Sequence, residues 1–377
     1  MDIVTILKAA VKHGASDVFL TAGRPASLKV NGRLATLDQT PLSDTDARDL
    51  VLSTMNDDQK RTFERDKECN YSISTAGAGR FRASALYQRN KIAMVLRRIE
   101  DEIPTIDGLN VPEIVKELAM TKRGLVIFVG ATGSGKSTTL AAMIGYRNQN
   151  STGHILTIED PIEFDHDHGG CVVTQREVGI DTESYEIALK NSLRQAPDVI
   201  MIGEIRARDT MDYGIAFAET GHLCLSTLHA NNANQAMDRI INFFPEERHK
   251  QLFLDLSLNL KAVVAQRLIP TKDGTGRCVA VEVLLNTPLI GDLIEKGKVA
   301  EIKDVMKRSR ELGMQTFDQA IYDLYKAGEI TYEEALKNSD SENEVRLMIK
   351  LAAEAGELSE SDHALALEPD ANDTGMI

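Results

Sequence analysis

Four short apolar runs, "LVIFV" (125–129), "ILTI" (155–158), "DVIMI" (198–202) and "LCLST" (223–227), alternate with stretches of helical period. A strand reads as a near-continuous apolar run when both of its faces are covered, and helical crossovers between such strands force them parallel. The pattern predicts an α/β fold, a parallel sheet with helices on both faces.

Ahead of these runs, residues 1 to about 100 alternate in period two more than in 3.6. "SLKVNGRLATLD" sets Asn31-Gly32 between alternating arms, a strong hairpin signal, and "RFRASALYQRNKIAMVLRRI" predicts a second hairpin turning at Gln88-Arg89-Asn90. A small α+β domain over 1–100 is expected, opened by an amphipathic helix with Ile3, Ile6, Leu7, Ala10 and Val11 on one side. "EDEIPTIDGLNVPE", with two prolines and a glycine, predicts a linker over 101–120, and the second domain is expected over 121–350. From 245 the reading is helical, from "PEERHKQLFLDLSLNLKAVVAQRL" onward, with Thr331…Glu334 and Ser341…Glu344 as capping boxes. Residues 351–377 carry seven acids and neither Lys nor Arg, and a disordered tail is expected there.

Composition narrows the setting. A net charge of −14 argues against broad nucleic-acid binding. No segment approaches the roughly 18 apolar residues of a membrane span, and "MDIVTILKAAVKHGASD" is too charged for a signal peptide. Cys69, Cys171, Cys224 and Cys278 are scattered with no Cys-x-x-Cys pair, which argues for a reducing compartment and against a structural zinc site. A soluble cytosolic protein is expected.

Directly after the first apolar run stands "VGATGSGKSTTL" (129–140), which satisfies Gly-x4-Gly-Lys-Ser. The expected phosphate cradle is Gly130, Ala131, Thr132, Gly133, Ser134, Gly135, Lys136, Ser137 and Thr138. Glycines let the backbone wrap phosphate oxygens with its N–H groups turned inward. Lys136 reaches the β- and γ-phosphates, the Ser137 hydroxyl can ligate Mg²⁺, and the helix opening near Lys136 adds its positive end. ATP and Mg²⁺ are the expected ligands.

A P-loop enzyme also needs an acid at the end of a neighbouring strand. "DVIMIGE" offers Glu204, with Gly203 where an Asp often stands. "HILTIEDPIEF" (154–164) offers Glu159, Asp160 and Glu163, any of which could orient the attacking water or take its proton. "ETGHLCLSTLHANNA" brackets a strand with His222 and His229, which read as a polar relay near the γ-phosphate or as structural histidines. "FDHDHGG" (164–170) reads as surface charge.

In this order and spacing the P-loop, "TIEDPIEF", "APDVIMIGEIR" and "TGHLCLSTLHANN" resemble the Walker A, Asp box, Walker B and His box of the secretion ATPases. These are the hexameric motors of type II secretion and type IV pili, and the resemblance covers essentially residues 1–350. The lack of a long N-terminal extension and of a four-cysteine insert makes the chain similar to the shorter retraction branch. "GASDVFLTAGRPASLKVNGRL" resembles the start of the PAS-like domain of that branch. Retraction motors usually carry "AIRNLIRE" where this chain has "LIGDLIEK" (289–296), with Gly291 and Glu295 in place of both arginines. With "LRQAPDV" (193–199) and the acidic extension, this is similar to the accessory retraction ATPases, which depend on a PilT-type retraction ATPase.

The resemblance implies a RecA-like P-loop domain behind a PAS-like domain, a homo-hexamer, and hydrolysis of ATP to ADP and phosphate. It implies work on an inner-membrane pilus platform protein from the cytoplasmic side, without nucleic acid and without insertion into the membrane. Lys136 and Ser137 would bind phosphate and Mg²⁺, and Glu204 would stand at the Walker B position, with Ser137 and Glu204 around the metal. Glu163 would be the general base, and His222 and His229 match the His box. Arg82 and Arg97 match arginines that serve as charge stabilisers. An ATP-binding, weakly catalytic docking subunit, a pilus assembly or secretion motor, and a RecA-like nucleic-acid translocase are the alternative readings.

Overall fold

The computed structural model describes residues 2–30, 33–99 and 102–356, and the chain divides into two compact units. The first comprises Met1–Ile103 together with Glu163–Asp165; the second comprises Pro104–Ile162 and the chain from His166 onward.

The first unit starts with α1 (Ile3–Lys12), which buries Ile6, Leu7 and Ala10. Strands β1 (Asp17–Thr21), β2 (Ser27–Val30) and β3 (Arg33–Thr36) follow, then helices α2 (Asp44–Ser53) and α3 (Asp57–Asp66). Strands β4 (Glu68–Thr75), β5 (Gly79–Gln88) and β6 (Lys91–Arg98) complete an antiparallel sheet of order β3-β2-β1-β6-β5-β4. Val30 pairs with Arg33 at the first hairpin; its Asn31-Gly32 lies outside the described residues. The second hairpin turns on two residues, not three. Gln88 still pairs with Lys91, and Arg89 and Asn90 both take positive φ, 48° and 63°. That left-handed pair matches the right-handed twist of the strands, and Asn tolerates it better than most side chains.

The second unit opens with α4 (Ile114–Met120), β7 (Gly124–Val129), α5 (Lys136–Asn150), β8 (Gly153–Glu159) and β9 (Cys171–Glu177). It continues through α6 (Tyr185–Ser192), β10 (Val199–Ile202), α7 (Arg208–Glu219), β11 (Leu223–Leu228), α8 (Ala233–Asn242) and α9 (Glu246–Asn259). Strands β12 (Leu260–Pro270) and β13 (Arg277–Leu285) precede the last helices, α10 (Pro288–Glu295), α11 (Ile302–Lys307), α12 (Phe317–Lys326), α13 (Tyr332–Asn338) and α14 (Glu342–Glu354). The sheet order is β13-β12-β7-β11-β10-β8-β9, parallel except for β13. Every residue of β7 is buried: Leu125, Ile127 and Val129 join the core on one face, and Val126 and Phe128 join the core on the other. The uniform apolar run is thus a sheet covered on both sides, the predicted α/β architecture.

Three expectations change. The stretch read as helix from 245 onward breaks after Asn259: "LKAVVAQRLIP" and "RCVAVEVLL" are strands, and helices resume at α10. Ala262 and Val264 pack on one face and Val263 and Ala265 on the other, and all four are fully buried. No glycine or proline separates α9 from β12, and a short apolar run looks alike in either state. Of the expected linker over 101–120, the part from Pro104 groups with the second unit, because Ile106, Val115, Leu118 and Ala119 bury themselves in the same core as Val126. Of the acidic C-terminal stretch, residues through Glu354 continue α14, and those after 356 lie outside the described residues. At the two late helices Thr331 and Ser341 accept from the backbone N–H of Glu334 (3.2 Å) and Glu344 (3.3 Å).

Candidate functional site

The cradle forms where β7 hands over to α5. Gly130 has φ of +149°, and a Cβ there would collide with Ser134 Oγ and stand 2.5 Å from the carbonyl oxygen of Gln266. Gly135 caps α5 without a side-chain acceptor, and the first helical turn holds no acid. The orphan N–H groups of that turn therefore have no internal anion competing for them. Lys136 is buried and donates to the carbonyls of Gly130 (2.8 Å) and Ala131 (2.9 Å). Ser134 Oγ is buried with no hydrogen-bond partner in the protein. A loop of glycines with an uncapped helix end and an unpaired buried hydroxyl fits a polyphosphate.

Because the strands are parallel, the residues that follow β7, β11, β10 and β8 share one edge of the sheet. Glu204 stands two strands from the P-loop, with β11 and His229 in between, about 10 Å across at ordinary strand spacing. The expectation of an adjacent strand is corrected by that one intervening strand. Gly203 is held from both sides: its N–H donates to Ile158 O (2.8 Å) and its carbonyl accepts from Thr227 Oγ1 (2.7 Å). A Cβ on Gly203 would stand 3.0 Å from Tyr185 Oη, 3.2 Å from Glu159 Cα and 3.3 Å from Ile158 O. This crowding explains why the position holds glycine and not the commoner aspartate. We expect Gly203→Ala to cost about 1–3 kcal/mol through overpacking, read as a lowered thermal midpoint with the P-loop sequence untouched.

The Glu204 side chain is only 14% exposed, and both its oxygens are engaged. Oε1 lies 3.0 Å from His229 Nε2, and Oε2 accepts from Arg206 Nε at 2.6 Å. The carboxylate beside it raises the Arg206 guanidinium pKa. Arg206 was absent from the residues expected here, although it is the first base after the acid. Tyr185, at the start of α6, keeps its proton: burial, then the negative charges of Asp160 and Glu159, push its phenol upward. His229, Gly130, Ala131, Asn231, Gln235 and Arg239 line an open groove of about 460 Å³.

The other expected residues are placed differently. His222 sits before β11, at the opposite edge of the sheet, where its carbonyl accepts from Gly124 N (3.0 Å) at the start of β7. Its ring Nδ1 is 3.0 Å from Thr220 Oγ1 and 3.2 Å from Phe217 O, and the six residues of β11, about 20 Å of strand, separate it from His229. A relay near the phosphates through His222 is not what this geometry builds within one chain; the ring is tied to the end of α7. Glu159 is buried and accepts from Thr157 Oγ1 (2.6 Å) and Gln175 Nε2 (3.2 Å), whereas Asp160 is exposed. Glu163 groups with the first unit and is exposed. In that unit Arg82 and Arg97 face each other across β5 and β6, and Arg97 Nε donates to Asp17 Oδ1 at 3.0 Å. Among the described residues no group of three His, Cys, Asp or Glu could by itself hold a metal, and no helix is long and apolar enough to cross a membrane.

Comparison with known proteins extends the geometry. The family described as "Type II/IV secretion system protein" matches residues 1–337. The chain is 65% identical over 367 residues to the type IV pilus ATPase PilU of Pseudomonas aeruginosa, covering 97% of this chain and 95% of that one. It is 41% identical over 335 residues to the type IV pilus retraction ATPase PilT of the same organism, covering 89% and 97%. Among solved structures, the pilus retraction motor PilT with bound ADP aligns with a TM-score of 0.88 at 40% identity, covering 92% of this chain and all of that one.

Proposed function

The chain belongs to the type II/IV secretion system protein family, and on that premise we propose that it is an ATP-hydrolysing motor promoting type IV pilus retraction, an accessory to a PilT-type retraction ATPase. The observation that carries this is Glu204, oriented by His229 and Arg206 on the same sheet edge as an uncapped P-loop helix.

In this reading the P-loop N–H groups take the phosphates, and Lys136 moves its ammonium from the Gly130 and Ala131 carbonyls to phosphate oxygens. Ser137 and Glu204 would hold Mg²⁺, which when bound supplies charge neutralisation at the transferring phosphoryl group. His229 and Arg206 hold the two oxygens of the Glu204 carboxylate in place. Glu163 is the proposed general base, and Arg82 and Arg97 the proposed charge stabilisers. The two arginines stand directly opposite each other across β5 and β6, and Arg97 is already paired with Asp17. His222 is read as structural. The proposed assembly is a homo-hexamer, acting from the cytoplasmic side on an inner-membrane platform protein.

The accessory role draws support from α10. A Cβ on Gly291 would stand 3.3 Å from Asn286 Oδ1 and 3.4 Å from Ser257 O, so the helix is packed around the absence of the family's arginine there. A strain deleted for this gene, complemented with the wild type, Lys136→Ala or Glu204→Gln, each with and without the PilT-type ATPase, tests the reading through twitching. Wild type restores motility only beside that partner, and both variants fail. Normal retraction with Lys136→Ala would overturn it. Purified protein that binds ATP with turnover near zero would favour the docking-subunit reading.

A further inference from the structure

The segment after His229 is held from the C-terminal side of the second unit by residues that the proposed reaction does not use. Helix α8 begins at Ala233, and its first N–H donates to Glu282 Oε1 at 2.7 Å. Glu282 lies in β13, 2% exposed, and its second oxygen, Oε2, accepts from the first N–H of α12, that of Phe317, at 3.3 Å. One carboxylate thus caps two helices whose positive ends converge on it.

The two residues before Ala233 are gripped as well. Arg267 of β12 lies 4.1 Å over the Phe317 ring, donates to Asn231 O at 3.4 Å and pairs with Asp340 at 3.0 Å. Asp340 accepts in turn from Asn232 Nδ2 (3.0 Å) and Lys303 Nζ (3.2 Å). Asn231, Asn232 and Ala233 are therefore each tied to β12, β13 or the segment between α13 and α14. Two residues upstream of Asn231 stands His229, against Glu204.

An ionisable acid at 2% exposure is costly to bury. Only a carboxylate offers an acceptor to each of two N–H donors at once; an amide of the same shape presents one oxygen and one N–H₂. We propose that Glu282 is a positioning residue for ATP hydrolysis: by capping α8 and α12 together it fixes the His229 segment, and through His229 the Glu204 carboxylate, against the C-terminal helices. The proposal rests on the ATPase reading. It places the effect on turnover and not on nucleotide binding, because the P-loop is built by β7 and α5, while a misplacement of about 1 Å at reacting groups can cost on the order of 10² in rate.

Steady-state ATP hydrolysis and ADP binding by the full chain test it, for wild type, Glu282→Gln, His229→Ala and the double variant. Glu282→Gln is expected to lower kcat about tenfold, with KM for ATP and the ADP dissociation constant within about twofold of wild type. The double variant is expected to be no slower than His229→Ala alone, the non-additivity of two residues acting through one contact. A merely structural role would lower stability and add its effect to that of His229→Ala. Additive losses, or an unchanged kcat in Glu282→Gln, overturn the proposal. Should Glu282→Gln not fold by circular dichroism, Arg267→Lys decides in its place. It keeps the charge but cannot span Asn231, Asn338 and Asp340 together, and the same pattern is expected. Wild type without turnover would overturn the ATPase reading itself; wild-type turnover unaffected by either variant would overturn only the positioning role.

Discussion

Lys136→Ala is expected to lower the rate of ATP hydrolysis by at least about a hundredfold, the usual cost of removing one preorganised charge from a transferring group. The lysine leads the first turn of α5 and is buried there, its ammonium already desolvated and satisfied by two carbonyls of its own loop. Exchanging those carbonyls for phosphate oxygens trades neutral acceptors for charged ones, so the gain appears only with nucleotide bound. The alanine variant loses that gain and also the two bonds that tie helix to loop. Initial-rate phosphate release, with thermal melting to show that the chain is folded, checks the result. A variant retaining a tenth of wild-type turnover would remove Lys136 from the site.

Glu204→Gln is expected to separate binding from turnover: ATP is held, and phosphate release falls by roughly 10²–10⁴, the scale of a positioned acid–base or water-orienting group. The substitution keeps the volume of a side chain that is only 14% exposed, so packing survives. Arg206 keeps an oxygen to donate to, but the amide N–H₂ then faces His229 Nε2, which can accept only in the tautomer protonated at Nδ1. The loss therefore reflects charge and not shape. Equilibrium binding of ATP and single-turnover hydrolysis on the same sample check it. Undiminished phosphate release takes Glu204 out of the chemistry.

The contrast among the acids shows where reading the chain succeeds. Glu204 was legible because it ends an apolar run in a chain that also carries a P-loop, and both signals are contiguous. Its partners were not. His229 comes from the next strand, and the choice between a relay and a structural role waited on which end of β11 each histidine occupies. His222 and His229 look equivalent in "TGHLCLSTLHANN", yet a fully extended strand carries them to opposite edges. Glu282 was invisible for the same reason. Its segment, "RCVAVEVLL", fell in the stretch read as helical, and only folding makes it a strand and brings the starts of α8 and α12 to the two oxygens of Glu282.

What the amino-acid sequence determined by itself is what depends on near neighbours: buried strands from apolar runs, the glycine loop that leads from β7 into α5, and the existence of the two hairpins. The strand identity of "LKAVVAQRLIP", the membership of residues 106–119 in the second core, the pairing of Glu204 with His229 and the double cap at Glu282 were decided by tertiary structure. The physical reason is range. Local propensity and turn geometry act over a few residues, whereas burial and the desolvation of a charge are set by elements tens to more than a hundred positions away, and they outweigh propensity wherever the two disagree.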